Sequence, residues 1–76
     1  MTTPDQEIDL SGLNCPLPVL RTKQALAQAP ANTTLKVIGT DPASVREFKM
    51  FDRQTNIELI SVTEEDGKFI FLLHKA

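Results

Sequence analysis

The sequence predicts an α+β fold with the element order β-α-β-α-β-β, in which two helices cover one face of a four-stranded sheet. Three observations indicate this fold: stretches of alternating apolar residues, two stretches with helical spacing, and turn residues between them. Because β-α-β crossovers are almost always right-handed, both helices are expected on the same face of the sheet. The 76 residues suffice for one domain, 1–76, with a flexible N-terminus at 1–6.

The first half of the chain is expected to contain a strand, a helix and a second strand. Residues 6–12 alternate Ile8 and Leu10 with polar residues and end at Gly12, which is typical of a short strand. Residues 16–29 are mostly good helix formers. Proline and asparagine in 30–32 end that helix, and the β-branched stretch 33–40 predicts the second strand. The positions expected to share one helical face are 16, 19, 20, 23, 26 and 27. Lys23 is the only charged residue that interrupts this apolar face.

The second half is expected to contain a helix and a β-hairpin. Asp41 can cap a helix whose first residue is Pro42, because proline lacks the N–H that would be unpaired there. This helix is predicted to run to about residue 54, and residues 56–65 are predicted to be the third strand. Asp66-Gly67 is a strong two-residue hairpin signal. The last strand, 68–75, is apolar on both faces, which indicates a central strand or one whose second face is covered by a partner. The side chains expected to face inward from the second helix are Val45, Phe48 and Phe51.

Composition argues against several classes of function. The formal net charge is −2 and the basic residues are scattered, so neither direct nucleic-acid binding nor binding to a membrane surface is expected. No apolar run approaches the roughly 20 residues that span a bilayer. The N-terminus has neither a basic nor an apolar stretch, so it does not resemble a signal peptide and a cytoplasmic location is expected. A chain this short has room for chemistry at its surface rather than in a deep cavity.

The stretch LNCPLP at 13–18 contains the only cysteine. With Pro16 as the first helical residue, Cys15 takes the cap position, where unpaired N–H groups and the helix dipole stabilise a thiolate. Cysteine pKa values at such positions fall from about 8.5 to between about 3.5 and 7.5. Pro16 and Pro18 stiffen the backbone, so a protruding thiolate could enter another protein's active site. The alternative is that Cys15 is a small buried hydrophobic residue.

Other kinds of cysteine chemistry are disfavoured. A single cysteine forms neither an internal disulfide nor a Cys-x-x-Cys pair. The only histidine, His74, lies near the end of the last predicted strand, where it is better explained as a polar strand-end residue than as a general base for Cys15. One cysteine and one histidine are too few for a metal site. Neither a metal nor another cofactor is therefore expected.

The segment DLSGLNCPLPVLRTKQAL at 9–26, together with TDPAS at 40–44, resembles the TusA/SirA/YedF family of small sulfur-carrier proteins. The resemblance extends from about residue 7 to the end of the chain. It implies a two-layer α/β sandwich with a mixed four-stranded sheet whose last strand is interior. It also implies that the cysteine accepts sulfur from a cysteine desulfurase or rhodanese-like donor, holds it as a persulfide, and passes it to a DsrE-like or other thiol acceptor. The pathways implied are tRNA thiolation, molybdenum-cofactor maturation and cytoplasmic sulfur oxidation.

Carried over residue by residue, the resemblance makes Cys15 the persulfide site, shaped by Pro16 and Pro18. Arg21 and Lys23 occupy positions where the family often carries basic residues, although both could be ordinary solvated helix positions. Asp41 would lie on the same rim as a possible partner contact, beside its role as a helix cap. The sequence departs from the family at 46–52, where Glu47, Phe48 and Lys49 replace a different segment and Asp52 stands where some relatives have a second cysteine. Specificity for particular partners therefore does not carry over.

Two functions from different classes remain. The first is a sulfur carrier, expected to be a monomer that takes part in transfer without full enzymatic turnover of its own and docks through a transient interface below about 1,200 Å². The second is a regulatory or binding module, contacting RNA, a protein or a membrane transporter, with an incidental cysteine. Replacing Cys15 with serine separates them, because only the second function survives that change.

Overall fold

The computed structural model describes residues 4–14, 17–50 and 56–76. Its element order is the predicted β-α-β-α-β-β. The elements are β1 (Gln6–Asp9), α1 (Leu17–Gln28), β2 (Thr33–Gly39), α2 (Ala43–Lys49), β3 (Ile57–Glu65) and β4 (Lys68–Lys75).

The four strands form one mixed sheet in the order β1-β2-β4-β3. β1 runs parallel to β2, whereas β4 is antiparallel to both of its neighbours, β2 and β3. The interior position of β4 confirms the arrangement that the family resemblance implied. Of the two apolar faces of β4, the one under the helices is buried at Phe71 and Leu73, whereas Ile70 and Leu72 on the other face are partly exposed.

Both helices pack on the same face of the sheet, as predicted. On that face Leu35 lies opposite Leu73, and Val37 lies opposite Phe71. Leu26 from α1 and Phe48 from α2 complete the core cluster, and all six side chains are at most 2% exposed. The rings of Phe48 and Phe71 stack with their centroids 4.0 Å apart. Burial of these apolar side chains holds α1 and α2, and therefore the loops that precede them, against the sheet.

The predicted hairpin joins β3 to β4. Asp66 and Gly67 both have positive φ, 51° and 79°, as a two-residue turn of this kind requires. Farther along β3 the pairing with β4 shifts between Leu59 and Ser61, which leaves Ile60 as an extra residue. The bulge places both Leu59 and Val62, three residues apart, on the core face, where strict alternation would allow only one of them.

The buried face of α1 differs from the predicted one. Thr22 and Leu26 are buried together with Pro18, whereas Leu20 is 49% exposed and Lys23 is also exposed. The prediction was right for Leu26, which is buried, and for Val19, which packs against the core, but wrong for Leu20 and Lys23, and it did not include Thr22. The hydroxyl of Thr22 donates to the carbonyl of Pro18 at 2.8 Å within the helix, so its polar group is satisfied and the side chain can face the core.

The second helix agrees with its predicted start, and Phe48 faces the core as expected. Val45 packs against the core cluster while partly exposed. The predicted continuation to about residue 54 and the inward-facing Phe51 fall on 51–55, outside the described residues. Within the described part of the chain, no helix is long and apolar enough to cross a membrane.

Candidate functional site

The loops that follow β1 and β2 meet at one edge of the sheet. Because these strands are parallel, their C-terminal residues, Asp9 and Gly39, lie at the same end. The N–H of Leu10 donates to the carbonyl of Ile38 at 2.7 Å and so continues the pairing one step beyond β1. Both helices begin at this end, which is where ligand sites collect in α/β sheets.

A hydrogen bond joins the two loops directly. The N–H of Gly12 donates to Oγ1 of Thr40 at 2.9 Å, across 28 positions of sequence. Gly12 has φ +88°, a conformation that side chains with a Cβ rarely adopt, so glycine suits this position. The N–H of Leu13 donates back to the carbonyl of Leu10 at 3.2 Å. These contacts give the segment leading to Cys15 a defined path.

Cys15 and Pro16 lie outside the described residues, and their predicted roles remain predictions. The residues on either side of them are described. The N–H of Leu17, the first residue of α1, donates to the carbonyl of Asn14 at 2.9 Å. Pro18, the other predicted shaping residue, is buried in the first turn of α1 and anchors that turn to the core.

A carboxylate at the end of β1 organises the start of the same loop. Oδ1 of Asp9 accepts hydrogen bonds from the hydroxyl of Ser11 at 2.6 Å and from its N–H at 3.0 Å. These two bonds, the hydroxyl first, lower the pKa of Asp9 below its ordinary value, and the charge of Lys68 lowers it further. Asp9 is therefore a stable anion at neutral pH and holds the turn that leads to Gly12.

Asp41 caps α2, as predicted. Its Oδ1 accepts from the N–H of Ala43 at 3.1 Å, and its carbonyl accepts from the N–H of Ser44 at 3.0 Å. Pro42 has helical dihedral angles, φ −59° and ψ −29°. Asp41 directly follows Thr40, so the cap belongs to the loop that Gly12 contacts.

The two basic residues singled out on α1 have different positions. Both are exposed. At 3.6 residues per turn, Arg21 lies about 40° around the helix from Leu17, whereas Lys23 lies about 120° away on the other side. Arg21 therefore shares the face of Leu17, which is 43% exposed and adjoins the loop. Lys23 does not share that face.

His74 lies at the other end of the sheet. It pairs with Thr34, and its Nδ1 is 3.2 Å from Oγ1 of that residue. Thr34 is six positions before Thr40 along β2, about 20 Å at the rise of a strand. His74 is thus distant from the loop between β1 and α1, in agreement with its interpretation as a strand-end residue. Among the residues that the structure describes, no group of three or more His, Cys, Asp or Glu could hold a metal ion.

Sequence reasoning missed Thr40 and Ser11 as parts of this site. Each is a small hydroxyl residue just after a predicted strand, a position where side chains commonly bond to loop backbone. That pattern could have identified Ser11, whose partner Asp9 is two residues away. It could not have paired Thr40 with Gly12, because their contact depends on the parallel pairing of β1 and β2.

Comparison with known proteins gives consistent similarities. The family described as Sulfurtransferase TusA matches residues 6–75. A sulfur carrier protein TusA of Allochromatium vinosum is 53% identical over 72 residues, which are 95% of each chain. A putative sulfur carrier protein of Neisseria meningitidis serogroup A is 42% identical over 71 residues, 92% of this chain and 96% of that one. The crystal structure of a SirA-like protein from Desulfitobacterium hafniense superposes with a TM-score of 0.70 at 30% identity, covering 93% of this chain and 96% of that one.

Proposed function

This chain belongs to the sulfurtransferase TusA family of sulfur carriers, and on that premise we propose that it holds sulfane sulfur as a persulfide on Cys15 and relays it between two proteins. The observation that carries the proposal is the hydrogen bond from Gly12 to Thr40, which ties the segment leading to Cys15 to the start of α2. A carrier needs its sulfur on a loop of fixed shape, because each partner must position the same atom for attack.

The proposed transfer has two balanced steps. The Cys15 thiolate attacks the outer sulfur of a donor persulfide, the donor's S–S bond breaks, and the donor leaves as a thiolate. The new S–S bond makes Cys15 a persulfide. An acceptor thiolate then attacks the outer sulfur, and Cys15 leaves as a thiolate. Neither step needs an external oxidant or reductant, since one S–S bond forms as another breaks.

The helix surface beside the loop supports docking by a partner. Leu17 and Leu20 are 43% and 49% exposed although leucine is usually buried. Arg21 shares the face of Leu17 and offers a charged group at its margin. We therefore propose that Arg21 contacts the partner protein and that Asp41 does so from the adjoining loop. Lys23 is expected to contribute less to this contact.

The partner classes follow from the chemistry. The donor is a cysteine desulfurase or a rhodanese-like protein, and the acceptor is a DsrE-like or other protein thiol. The three implied pathways are tRNA thiolation, molybdenum-cofactor maturation and sulfur oxidation. We place the single domain, as a monomer, in the cytoplasm, because a lone persulfide cysteine functions where thiols are kept reduced.

The proposal is tested by the intact mass of the protein after incubation with a cysteine desulfurase and free cysteine. We expect a gain of one sulfur atom that dithiothreitol removes, and no gain in Cys15→Ser. A second incubation of the loaded protein with a thiol acceptor should return the original mass. If desulfurase, thiosulfate with a rhodanese and polysulfide all leave the mass unchanged, the carrier function is wrong, and the cysteine is incidental to a binding module.

A further inference from the structure

The sheet face opposite the helices carries an apolar patch. Ile38 of β2 lies opposite Ile70 of β4, and Leu72 follows two residues later on the same face. All three are partly exposed, whereas their neighbours on the core face are fully buried. The bulge adds Ile60, which is 39% exposed and directly precedes Ser61, the residue that pairs with Leu72. These four side chains, here called the open-face patch, adjoin one another across three strands, and no described residue packs over them.

Carboxylates border the open-face patch on both sides. Glu7 and Asp9 point to this face from β1, and Glu58 and Glu65 do so from β3. Between them lie only two lysines of the same face, Lys36 and Lys68. Lys36 forms an ion pair with Glu7 at 3.3 Å, and Lys68 lies directly opposite Glu65 in the pairing of β3 with β4. Four carboxylates against two lysines leave this face with a net negative charge, with Glu58 on the β3 side and Asp9 on the β1 side not paired with a lysine across the strands.

We propose that the open face of the sheet is a docking surface for a basic amphipathic helix of a partner protein. An apolar strip bordered by carboxylates is complementary to a helix with one apolar face flanked by lysine or arginine. The dimensions agree: three strand spacings separate β1 from β3 by about 14 Å, and a helix is about 10–12 Å wide.

The same charges disfavour other occupants. A second copy docked face to face would bring carboxylates at both edges against carboxylates, and like charges at an interface are unfavourable. A nucleic acid would place phosphates against them. A cationic helix is the partner for which both the apolar patch and its border are favourable. The inference does not depend on sulfur chemistry, because this face is opposite the one that α1 and α2 cover.

The test uses a synthetic helical peptide of about 16 residues, built from leucine and lysine so that its apolar face is about 24 Å long, like β4. It is titrated into ¹⁵N-labelled Cys15→Ser protein, so that the result is independent of persulfide formation. We expect saturable amide shifts confined to residues 36–38, 58–63 and 68–74, and tighter binding at low salt. A peptide of the same composition with scrambled spacing is the control.

Variants locate the binding site. Leu72→Thr should weaken binding about tenfold, the effect of losing roughly half of a leucine's burial energy, and Ile38→Thr should do the same if Leu72→Thr unfolds. Leu20→Thr removes a more exposed leucine from the helix side and should leave binding unchanged. Shifts centred on α1 or α2, equal binding by the scrambled peptide, or concentration-dependent dimerisation of the free protein through this face would each overturn the proposal.

Discussion

The N–H of Gly12 and the hydroxyl of Thr40 are 2.9 Å apart, and this single bond joins the loop after β1 to the loop after β2. The first loop leads to Cys15 and α1, and the second begins α2 with the Asp41 cap. The two loops are consequently one structural unit, although 28 positions separate the bonded residues. A change in either loop is therefore expected to affect the other.

Thr40→Val removes the acceptor while keeping the shape of the side chain. We expect a loss of about 0.5–1 kcal/mol in the free energy of unfolding, typical of one hydrogen bond, and faster hydrogen exchange of the Gly12 amide. Denaturant unfolding and amide exchange by NMR measure these effects. Thr63→Val, at an exposed strand position, is the matched control. Unchanged exchange at Gly12 in Thr40→Val would show that the bond does not hold the loop.

Arg21→Ala and Lys23→Ala separate the two basic residues of α1. Because Arg21 shares the exposed face of Leu17 and Lys23 does not, we expect Arg21→Ala to raise the desulfurase concentration needed for half-maximal sulfur loading several-fold, with little change from Lys23→Ala. Both residues are exposed, so the free energy of unfolding should change by less than about 0.5 kcal/mol. Equal effects of the two variants would contradict this assignment.

Lys75→Met tests how the last strand holds α1. Nζ of Lys75 donates to the carbonyls of Leu26 and Ala29, at 2.7 and 2.8 Å, at the C-terminal end of the helix. A cation there supplies a donor to carbonyls of the last turn, of which that of Leu26 also accepts the N–H of Ala29 at 3.2 Å, and it complements the helix dipole. We expect a loss of about 1–3 kcal/mol in unfolding free energy, with increased amide exchange in the last turn of α1. Lys49→Met, on the exposed side of α2, should have little effect.

Ser44→Ala is expected to leave the protein as stable or to stabilise it. Oγ of Ser44 is buried and has no hydrogen-bond partner among the residues that the structure describes, so the hydroxyl contributes a desolvation cost with no compensating bond there. Alanine also has the higher helix propensity, by about 0.5 kcal/mol. The midpoint of urea unfolding should rise or stay constant. Ala43→Ser, the reverse change at an exposed position one residue earlier, should lower it slightly, and a marked fall in Ser44→Ala would indicate a partner for the hydroxyl.

Ser11→Ala should raise the pKa of Asp9, because the hydroxyl of Ser11 is the main cause of its lowering. A carboxyl whose pKa is lower in the folded state stabilises the protein above its unfolded-state pKa, about 3.9. That contribution is lost as the pH falls through the lowered folded value. Ser11→Ala should therefore lose the stability that the lowered pKa of Asp9 provides. Lys68→Met should raise the pKa of Asp9 by less than Ser11→Ala does. NMR titration of the Asp9 carboxyl measures both shifts, and an unchanged pKa in Ser11→Ala would contradict the assigned cause.

The sequence by itself determined the element order, the hairpin turn and the Asp41 cap. Each depends on residues within a few positions of one another, so local propensity is sufficient to predict it. Asp66 and Gly67 accept positive φ whatever surrounds them, and Pro42 fits a first helical turn in any fold. The stretch around Cys15 indicated the functional class for the same reason, since its spacing is local.

The tertiary structure alone decided which face of α1 is buried, where β3 bulges and which loops meet. Thr22 is buried because its hydroxyl is satisfied within the helix and the sheet lies on that side. Ile60 is displaced because Leu59 and Val62 both reach the core. Gly12 contacts Thr40 because β1 pairs in parallel with β2. All three depend on packing between segments far apart in sequence, and pairing between distant segments is not encoded in the propensities of either one.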